Sequence, residues 1–169
     1  MPSADRATPA AAPSSPDARP DVPPVIAALP DGPRARMLPL LARLSLESGV
    51  TFMHEGEVTR FLAIIVTGRV ALRMRVPERG AITTLTLDAG DIAGWSAIVP
   101  PYRATCSATT LEPTELAIVD AATLREVLAT DCDVAAAFLP PMMETIAARL
   151  AATRDQLLDL FRGSGLDPW

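Results

Sequence analysis

The sequence has few of the residues on which metal and redox sites depend. Its 169 residues include one histidine, His54, and two cysteines, Cys106 and Cys132, that are far apart along the chain. A structural zinc site needs several closely spaced cysteine or histidine ligands, so we predict no metal site. Cysteines without a CxxC motif favour a reduced, cytoplasmic setting.

Long apolar runs and an excess of basic residues are also missing. No run approaches the roughly 20 apolar residues of a membrane span, and the N-terminus lacks the apolar section of a signal peptide. All 15 basic residues are arginines, and the net charge is −5. This balance argues against a nucleic-acid-binding surface. We therefore expect neither a membrane nor DNA as a direct partner.

Motifs typical of common enzyme classes are absent as well. There is no phosphate-binding loop, no dinucleotide fingerprint and no nucleophile elbow. Metal enzymes of the cupin type bind their metal ion through several histidines and a carboxylate, and this chain has one histidine. We predict that the protein is not an enzyme.

Aromatic residues make up only 4% of the chain, whereas hydrophobic residues make up 49%. The core must therefore consist mainly of Leu, Ile, Val, Ala and Met. Residues 1–24 contain seven prolines and almost no large apolar side chain, so burial cannot offset their ordering entropy and we predict a disordered tail. The domain is expected to span residues 25–161, followed by a flexible tail over residues 162–169.

The spacing of apolar residues changes twice along the domain. Residues 33–44 have helical spacing interrupted by Pro39, which predicts a short or kinked helix. Between about residues 49 and 119 the period is two, with glycines at the turns, which predicts an antiparallel β-roll of the jelly-roll or cupin type with flanking helices. The predicted strands are 50–53, 61–67, 70–76, 82–87, 102–110 and 115–119.

Beyond the roll, over about residues 120–161, the spacing becomes helical again. Asp120 is a suitable N-cap. Pro140 and Pro141 predict a break, which we interpret as a hinge before a long helix over about residues 142–161. Apolar residues of that helix recur at coiled-coil spacing, so they form either a homodimer interface or a face packed on the β-roll. They are Met143, Ile146, Leu150, Thr153, Leu157 and Phe161.

The segment 90–105, GDIAGWSAIVPPYRAT, suits a phosphate-binding pocket. Glycines at a strand end let the backbone approach a ligand closely, and the N–H groups of a following helical turn attract anions. Arg103 comes next, and a guanidinium matches phosphate oxygens two at a time. The candidate ligand-binding residues are Gly94, Trp95, Ser96, Ala97, Arg103, Ala104 and Thr105.

Five motifs, in order, resemble the cyclic-nucleotide-binding domain, the sensor module of the catabolite-activator family. The resemblance covers about residues 38–161. It implies a non-catalytic sensor or regulatory module, with a cyclic nucleotide or another small anion as ligand and no other cofactor. Since no helix-turn-helix follows residue 161, we expect the signal to pass to a regulatory protein partner or through a dimer. The motifs are FMHEGE at 52–57, IIVTGRV at 64–70, LDAGDIAG at 87–94, RAT at 103–105 and LAIVD at 116–120.

One position departs from the family's cassette. The family has a glutamate after the cassette glycine, which accepts a hydrogen bond from the ribose, whereas this chain has Trp95. An indole can only donate. Trp95 is a plug that fills the pocket, a platform for another planar or anionic ligand, or part of a rearranged nucleotide site. The alternative function is a degenerate β-roll scaffold for protein interaction or dimerisation, without a nucleotide ligand.

Overall fold

The computed structural model describes residues 22–76 and 80–163, with side chains described as far as residue 155. Two four-stranded sheets form the domain, and helices from both ends of the described chain pack together against the first sheet. This arrangement confirms the predicted β-roll with flanking helices and a long C-terminal helix. The elements are α1 (Pro24–Ala27), α2 (Asp31–Met37), β1 (Ala42–Leu46), β2 (Thr51–Met53), β3 (Phe61–Thr67), β4 (Val70–Val76), β5 (Gly80–Leu87), β6 (Ile92–Ala93), β7 (Ser107–Thr110), β8 (Thr114–Asp120), α3 (Ala121–Thr130) and α4 (Cys132–Gly163).

Both sheets are antiparallel in every strand pair. The first has the order β1-β8-β3-β6 and the second the order β2-β7-β4-β5. In the second sheet β7 pairs with β4 only from Val70 to Arg73, so β4 continues beyond the start of β7. This difference in strand length leaves a notch in the sheet.

Strand β3 shows why one stretch of the sequence lacks alternation. Leu62 and Ile64 face a core cluster beneath the helices, whereas Ala63 and Ile65 face a second cluster shared by the two sheets. All four residues are fully buried. Because both faces of the strand are covered, an apolar residue is needed at every position.

The N-terminal part of the domain differs from the prediction in two ways. The helix predicted over residues 33–44 ends at Met37, and Leu44 pairs with Leu116 in β1. Pro39, in a short 3-10 turn, has no N–H with which to extend the α-helix. Val22, inside the predicted tail, packs against the core. Residues 1–21 and 164–169 lie outside the described residues.

Helix α4 is continuous through Pro140 and Pro141, so the predicted break is wrong. Phe138 and Met142, on either side of the prolines, are fully buried in the same cluster. Their burial stabilises the helix on both sides and offsets the two backbone hydrogen bonds that proline cannot make.

The same helix also corrects the expectation about apolar runs. The segment Cys132–Asp155 is long and apolar enough to cross a membrane, as judged by length and composition alone. Only 17% of its most apolar window is buried. Met143 and Leu150, two residues of the predicted stripe, are 64% and 72% exposed. These two residues, among the stripe residues whose side chains the structure describes, therefore lie uncovered.

Candidate ligand-binding site

The predicted cassette begins at Gly94, in a left-handed conformation with φ of 77°. A Cβ atom at this position would lie 2.6 Å from Cε of Met53 and 2.9 Å from the carbonyl oxygen of Phe61. Both the backbone angle and the close approach therefore require glycine. Gly94 is the residue before a 3-10 turn, Trp95–Ala97, and its conformation sets the position of the Trp95 indole.

Ser96 and Ala97 hold the turn in place rather than lining a cavity. Ser96 is buried, and its hydroxyl shares a 3.0 Å hydrogen bond with the hydroxyl of Thr59. Ala97 is fully buried, and its carbonyl oxygen accepts a 2.7 Å hydrogen bond from Nη1 of Arg125. The Arg125 guanidinium also lies 4.6 Å from the ring centre of Tyr102.

The second half of the cassette is irregular up to residue 106. The Pro100–Pro101 peptide bond is cis, and Tyr102 has a positive φ of 62°. The strand predicted over residues 102–110 therefore begins only at Ser107. A left-handed tyrosine interrupts the extended backbone that strand pairing requires.

Arg103 is exposed, and its Nη1 donates a 2.8 Å hydrogen bond to the carbonyl oxygen of Gly56. Ala104 is buried in the core shared by the two sheets. Thr105 is exposed at the mouth of a cavity that Trp95 also lines, whereas Arg103 is not among its lining residues. The structure thus brings Trp95 and Thr105 together without Arg103, whose role as anion anchor stays a prediction.

We call this space the helix-side cavity, because it lies between the second sheet and α4. Its volume is about 270 Å³. The indole of Trp95 is half-buried and packs partly against the core. Three residues of the predicted stripe, Ile146, Leu150 and Thr153, reach the cavity. The lining residues are Leu72, Met74, Thr84, Leu85, Trp95, Thr105, Cys106, Ile146, Arg149, Leu150 and Thr153.

Arg149 is the one cationic residue among those that line this cavity, and it was not among the candidate ligand-binding residues predicted from the sequence. Its guanidinium donates to the carbonyl oxygen of Ile92 in β6. Burial lowers the pKa of Arg149, and the nearby Asp91 carboxylate and Cys106 thiol oppose that shift. A guanidinium has five N–H donors, so several remain for an anionic partner.

Cys106 also faces the helix-side cavity. Burial raises the pKa of its thiol, while a hydrogen bond with Thr105 and the charge of Arg149 act in the opposite direction. A protonated thiol is a poor nucleophile and a small apolar surface. Cys106 therefore contributes to the wall of the cavity as an apolar group.

Residues 43–131 match the sequence profile of the cyclic nucleotide-binding domain. The chain belongs to this family. The match covers more than half of the chain and includes the whole cassette. Members of the family share a regulatory β-roll, and in this member the cassette contains Trp95. A comparison with curated proteins found no match.

Solved structures of cyclic nucleotide-binding domain proteins share the fold. A cyclic nucleotide-binding domain from Methylobacillus flagellatus is 18% identical, with a TM-score of 0.74, and the match covers 82% of this chain and 81% of the other. The N-terminal domain of a transcriptional regulator from Streptomyces coelicolor is 26% identical, with a TM-score of 0.60 and coverage of 79% and 90%. The regulator CLP from Xanthomonas campestris is 17% identical, with a TM-score of 0.69 and coverage of 82% and 66%.

The stripe predicted for dimerisation is divided between two environments. Met143 is exposed outside the helix-side cavity, and Ile146, Leu150 and Thr153 line it. The side chains of Leu157 and Phe161 lie outside the described residues. The alternatives of a dimer interface and a face packed on the β-roll therefore both stay predictions, since Leu150 lines the cavity and is also exposed.

Proposed function

We propose that the protein is a non-catalytic sensor whose ligand, a cyclic nucleotide or another small anion, binds in the helix-side cavity. The observation that carries this proposal is the position of Arg149, a partly desolvated cation beside an otherwise largely apolar cavity. An anion there would replace the water that the guanidinium has lost, and charge-assisted hydrogen bonds to arginine are among the stronger ones.

Trp95 would act as the platform of this site. An indole face attracts planar rings by stacking, and it occupies the position where the family has the ribose-binding glutamate. A volume of about 270 Å³ is just below the usual range of small-molecule pockets, roughly 300–1,000 Å³. On this proposal the ligand is compact, or Trp95 moves to admit a larger one.

Three probes cover the ligand class. Cyclic AMP and cyclic GMP are compact cyclic phosphates with a planar base. The Xanthomonas campestris regulator is described as responsive to c-di-GMP, so this larger molecule is the third. Each combines an anionic phosphate with a stacking surface, as Arg149 and Trp95 together would require.

Helix α4 would carry the signal. Ile146 and Arg149 lie on this helix and line the cavity, so a ligand can favour one position of the helix over another. Such a shift requires different affinities for the two positions. The output then passes to a separate regulatory protein or to a second copy of the chain through the exposed part of the stripe.

Trp95 fluorescence in a Trp169→Phe background tests the proposal, because it isolates the cavity indole. At least one of the three probes should change the signal with a Kd below about 100 µM. Arg149→Gln should weaken that binding by about tenfold or more, the value of a charged hydrogen bond. Arg60→Gln, at an exposed arginine that is not among the lining residues of the cavity, is the matched control.

The outcomes separate the two candidate anchors. If Arg103→Gln weakens binding and Arg149→Gln does not, the ligand binds at the cassette arginine, and the proposal for the helix-side cavity is wrong. No change in fluorescence or in calorimetric heat with any of the three probes would contradict the sensor and favour the scaffold.

The scaffold is the second candidate, and the exposure of Met143 and Leu150 favours it. Exposed apolar side chains at coiled-coil spacing indicate an interface with a second copy of the chain. Sedimentation of the ligand-free protein should show a dimer at micromolar concentration. A monomer under those conditions would contradict dimerisation through α4.

A further inference from the structure

A second cavity lies on the opposite side of the second sheet, and we call it the outer-face cavity. Its volume is about 510 Å³, within the usual range of small-molecule pockets, roughly 300–1,000 Å³. Met74 lines both cavities, so β4 is part of the wall between them. The lining residues are Thr51, His54, Glu55, Gly56, Arg73, Met74, Arg75, Ala81, Ser107 and Thr109.

The shape of this cavity follows from the notch in the sheet. Strand β7 begins at Ser107, opposite Arg73, whereas β4 continues past Arg75. Glu55, in the turn after β2, takes the place of the missing partner. One of its carboxylate oxygens accepts a 2.8 Å hydrogen bond from the backbone N–H of Arg75. The turn and the two strands thus enclose a concave site.

Positive charge predominates in this cavity, although the whole chain has a net charge of −5. Arg73 and Arg75 both line it, against the single carboxylate of Glu55. Neither arginine forms a salt bridge within the described part of the chain. Two guanidiniums at one concave site, with no carboxylate paired to either among the described residues, favour an anionic ligand.

The hydroxyl groups of the cavity add donors to this charge. Ser107 Oγ accepts a 3.0 Å hydrogen bond from the backbone N–H of Glu55, so its own hydrogen remains available to a ligand. The hydroxyls of Thr51 and Thr109 are 2.9 Å apart. One donates to the other, which leaves one further hydrogen. Such a set of donors matches a phosphate group, which only accepts when fully ionised.

We propose that the outer-face cavity binds a small phosphorylated organic molecule through Arg73 and Arg75. The guanidiniums bind the phosphate oxygens, and the hydroxyls of Ser107 and the threonine pair orient it. A cavity of about 510 Å³ also holds the organic part of the ligand. This site does not depend on Arg149 or Trp95, so it stands or falls separately from the sensor proposed above.

Calorimetric titration of the full chain with adenosine 5′-monophosphate, glucose 6-phosphate and inorganic pyrophosphate tests this site. At least one probe should bind with a Kd below about 1 mM. The double variant Arg73→Gln/Arg75→Gln should weaken binding by about tenfold or more, since each lost pair is charge-assisted. Arg60→Gln should leave this binding unchanged.

Three results would overturn the proposal. They are no binding of any probe to the wild-type protein, binding that survives in the double variant, and an equal loss in Arg60→Gln, which indicates non-specific attraction. If the double variant does not fold, Arg73→Lys replaces it. That variant keeps the charge and loses the planar fork, so it should bind the probe at least about threefold more weakly; unchanged binding there counts against the site.

Discussion

The two cavities differ in how they would bring positive charge to a ligand. The helix-side cavity has one cation, Arg149, whose pKa is lowered by burial among mostly apolar side chains. The outer-face cavity has two arginines on a sheet surface with hydroxyls around them. A buried charge costs desolvation and interacts strongly, whereas exposed charges are solvated and screened by salt. The first arrangement favours selectivity, and the second tolerates a wider range of anions.

The largest expected effect on this difference between the cavities comes from substituting one glycine beside each of them. Gly94→Ala adds a Cβ within 2.9 Å of a backbone carbonyl, whereas a Cβ at Gly56 meets nothing within 4 Å. Both glycines have a positive φ. We expect Gly94→Ala to lower the free energy of unfolding by about 3 kcal/mol or more, from strain plus overlap. Gly56→Ala should cost only about 1 kcal/mol, from the backbone angle alone.

Urea unfolding of the two variants measures this difference. If both variants lose the same free energy of unfolding, the turn before Trp95 relaxes to admit a side chain. The close packing of Gly94 against Phe61 would then not fix the position of the indole.

A smaller effect is expected from changing the helix-side cavity towards the family's cassette. Trp95→Glu replaces the indole by the carboxylate that resembles the family's ribose acceptor. Because Trp95 is the proposed platform, we expect cyclic AMP to bind this variant about tenfold more weakly than it binds the wild-type protein, since stacking of a base on an aromatic ring is worth roughly 1–3 kcal/mol. Trp95→Gln is the matched control without the charge.

Calorimetry of both variants distinguishes the alternatives for Trp95. Tighter binding of cyclic AMP to Trp95→Glu than to the wild-type protein would contradict the platform and indicate that the indole fills the ribose position as a plug. No binding by any of the three proteins would leave only the scaffold.

The smallest expected effect concerns the thiols. Cys106 lines the helix-side cavity and Cys132 is exposed. Burial raises the pKa of Cys106, so at neutral pH less of it is the reactive thiolate. We expect iodoacetamide to label Cys106 at least about tenfold more slowly than Cys132, with a rate that increases as the pH rises towards its raised pKa.

Mass spectrometry of the labelled sites checks this order and adds a test of location. A ligand in the helix-side cavity should slow the labelling of Cys106 further, whereas a phosphorylated probe in the outer-face cavity should not. Equal labelling of the two thiols at neutral pH would contradict the enclosed position of Cys106.

The β-roll could be predicted because alternating apolar residues and glycines at turns reflect the local geometry of strands and hairpins. Strands β3 and β4 were predicted with their exact bounds. Strand β1 was missed because Leu41 and Leu44 also fit helical spacing, and only pairing with β8 reveals the strand. The continuity of α4 was missed because the stabilising burial of Phe138 and Met142 is a tertiary effect.

The turn of the candidate site could be predicted from the sequence, whereas the arginine that lines its cavity could not. Gly94 and Trp95 belong to one short motif, so their neighbourhood is local. Arg149 lies about fifty residues further along the chain, and its contact with Ile92 depends on how α4 docks. The outer-face cavity likewise depends on where β7 ends relative to β4. The spacing of residues in the sequence predicts neither the docking of α4 nor the relative ends of β7 and β4.

The unbroken helix α4 would convert a small displacement near the core into a large one at its far end. Phe138 and Met142 embed one part of it in the core, which makes that part the fulcrum of a lever. Residues 143–163 form an arm of about 30 Å at roughly 1.5 Å per residue. A tilt of about 10° would move Ile146 by about 1 Å and Thr153 by about 3 Å, and it would carry the far end sideways by about 5 Å. A small change at the near end of the cavity would thereby become a large displacement of whatever contacts the end of the arm.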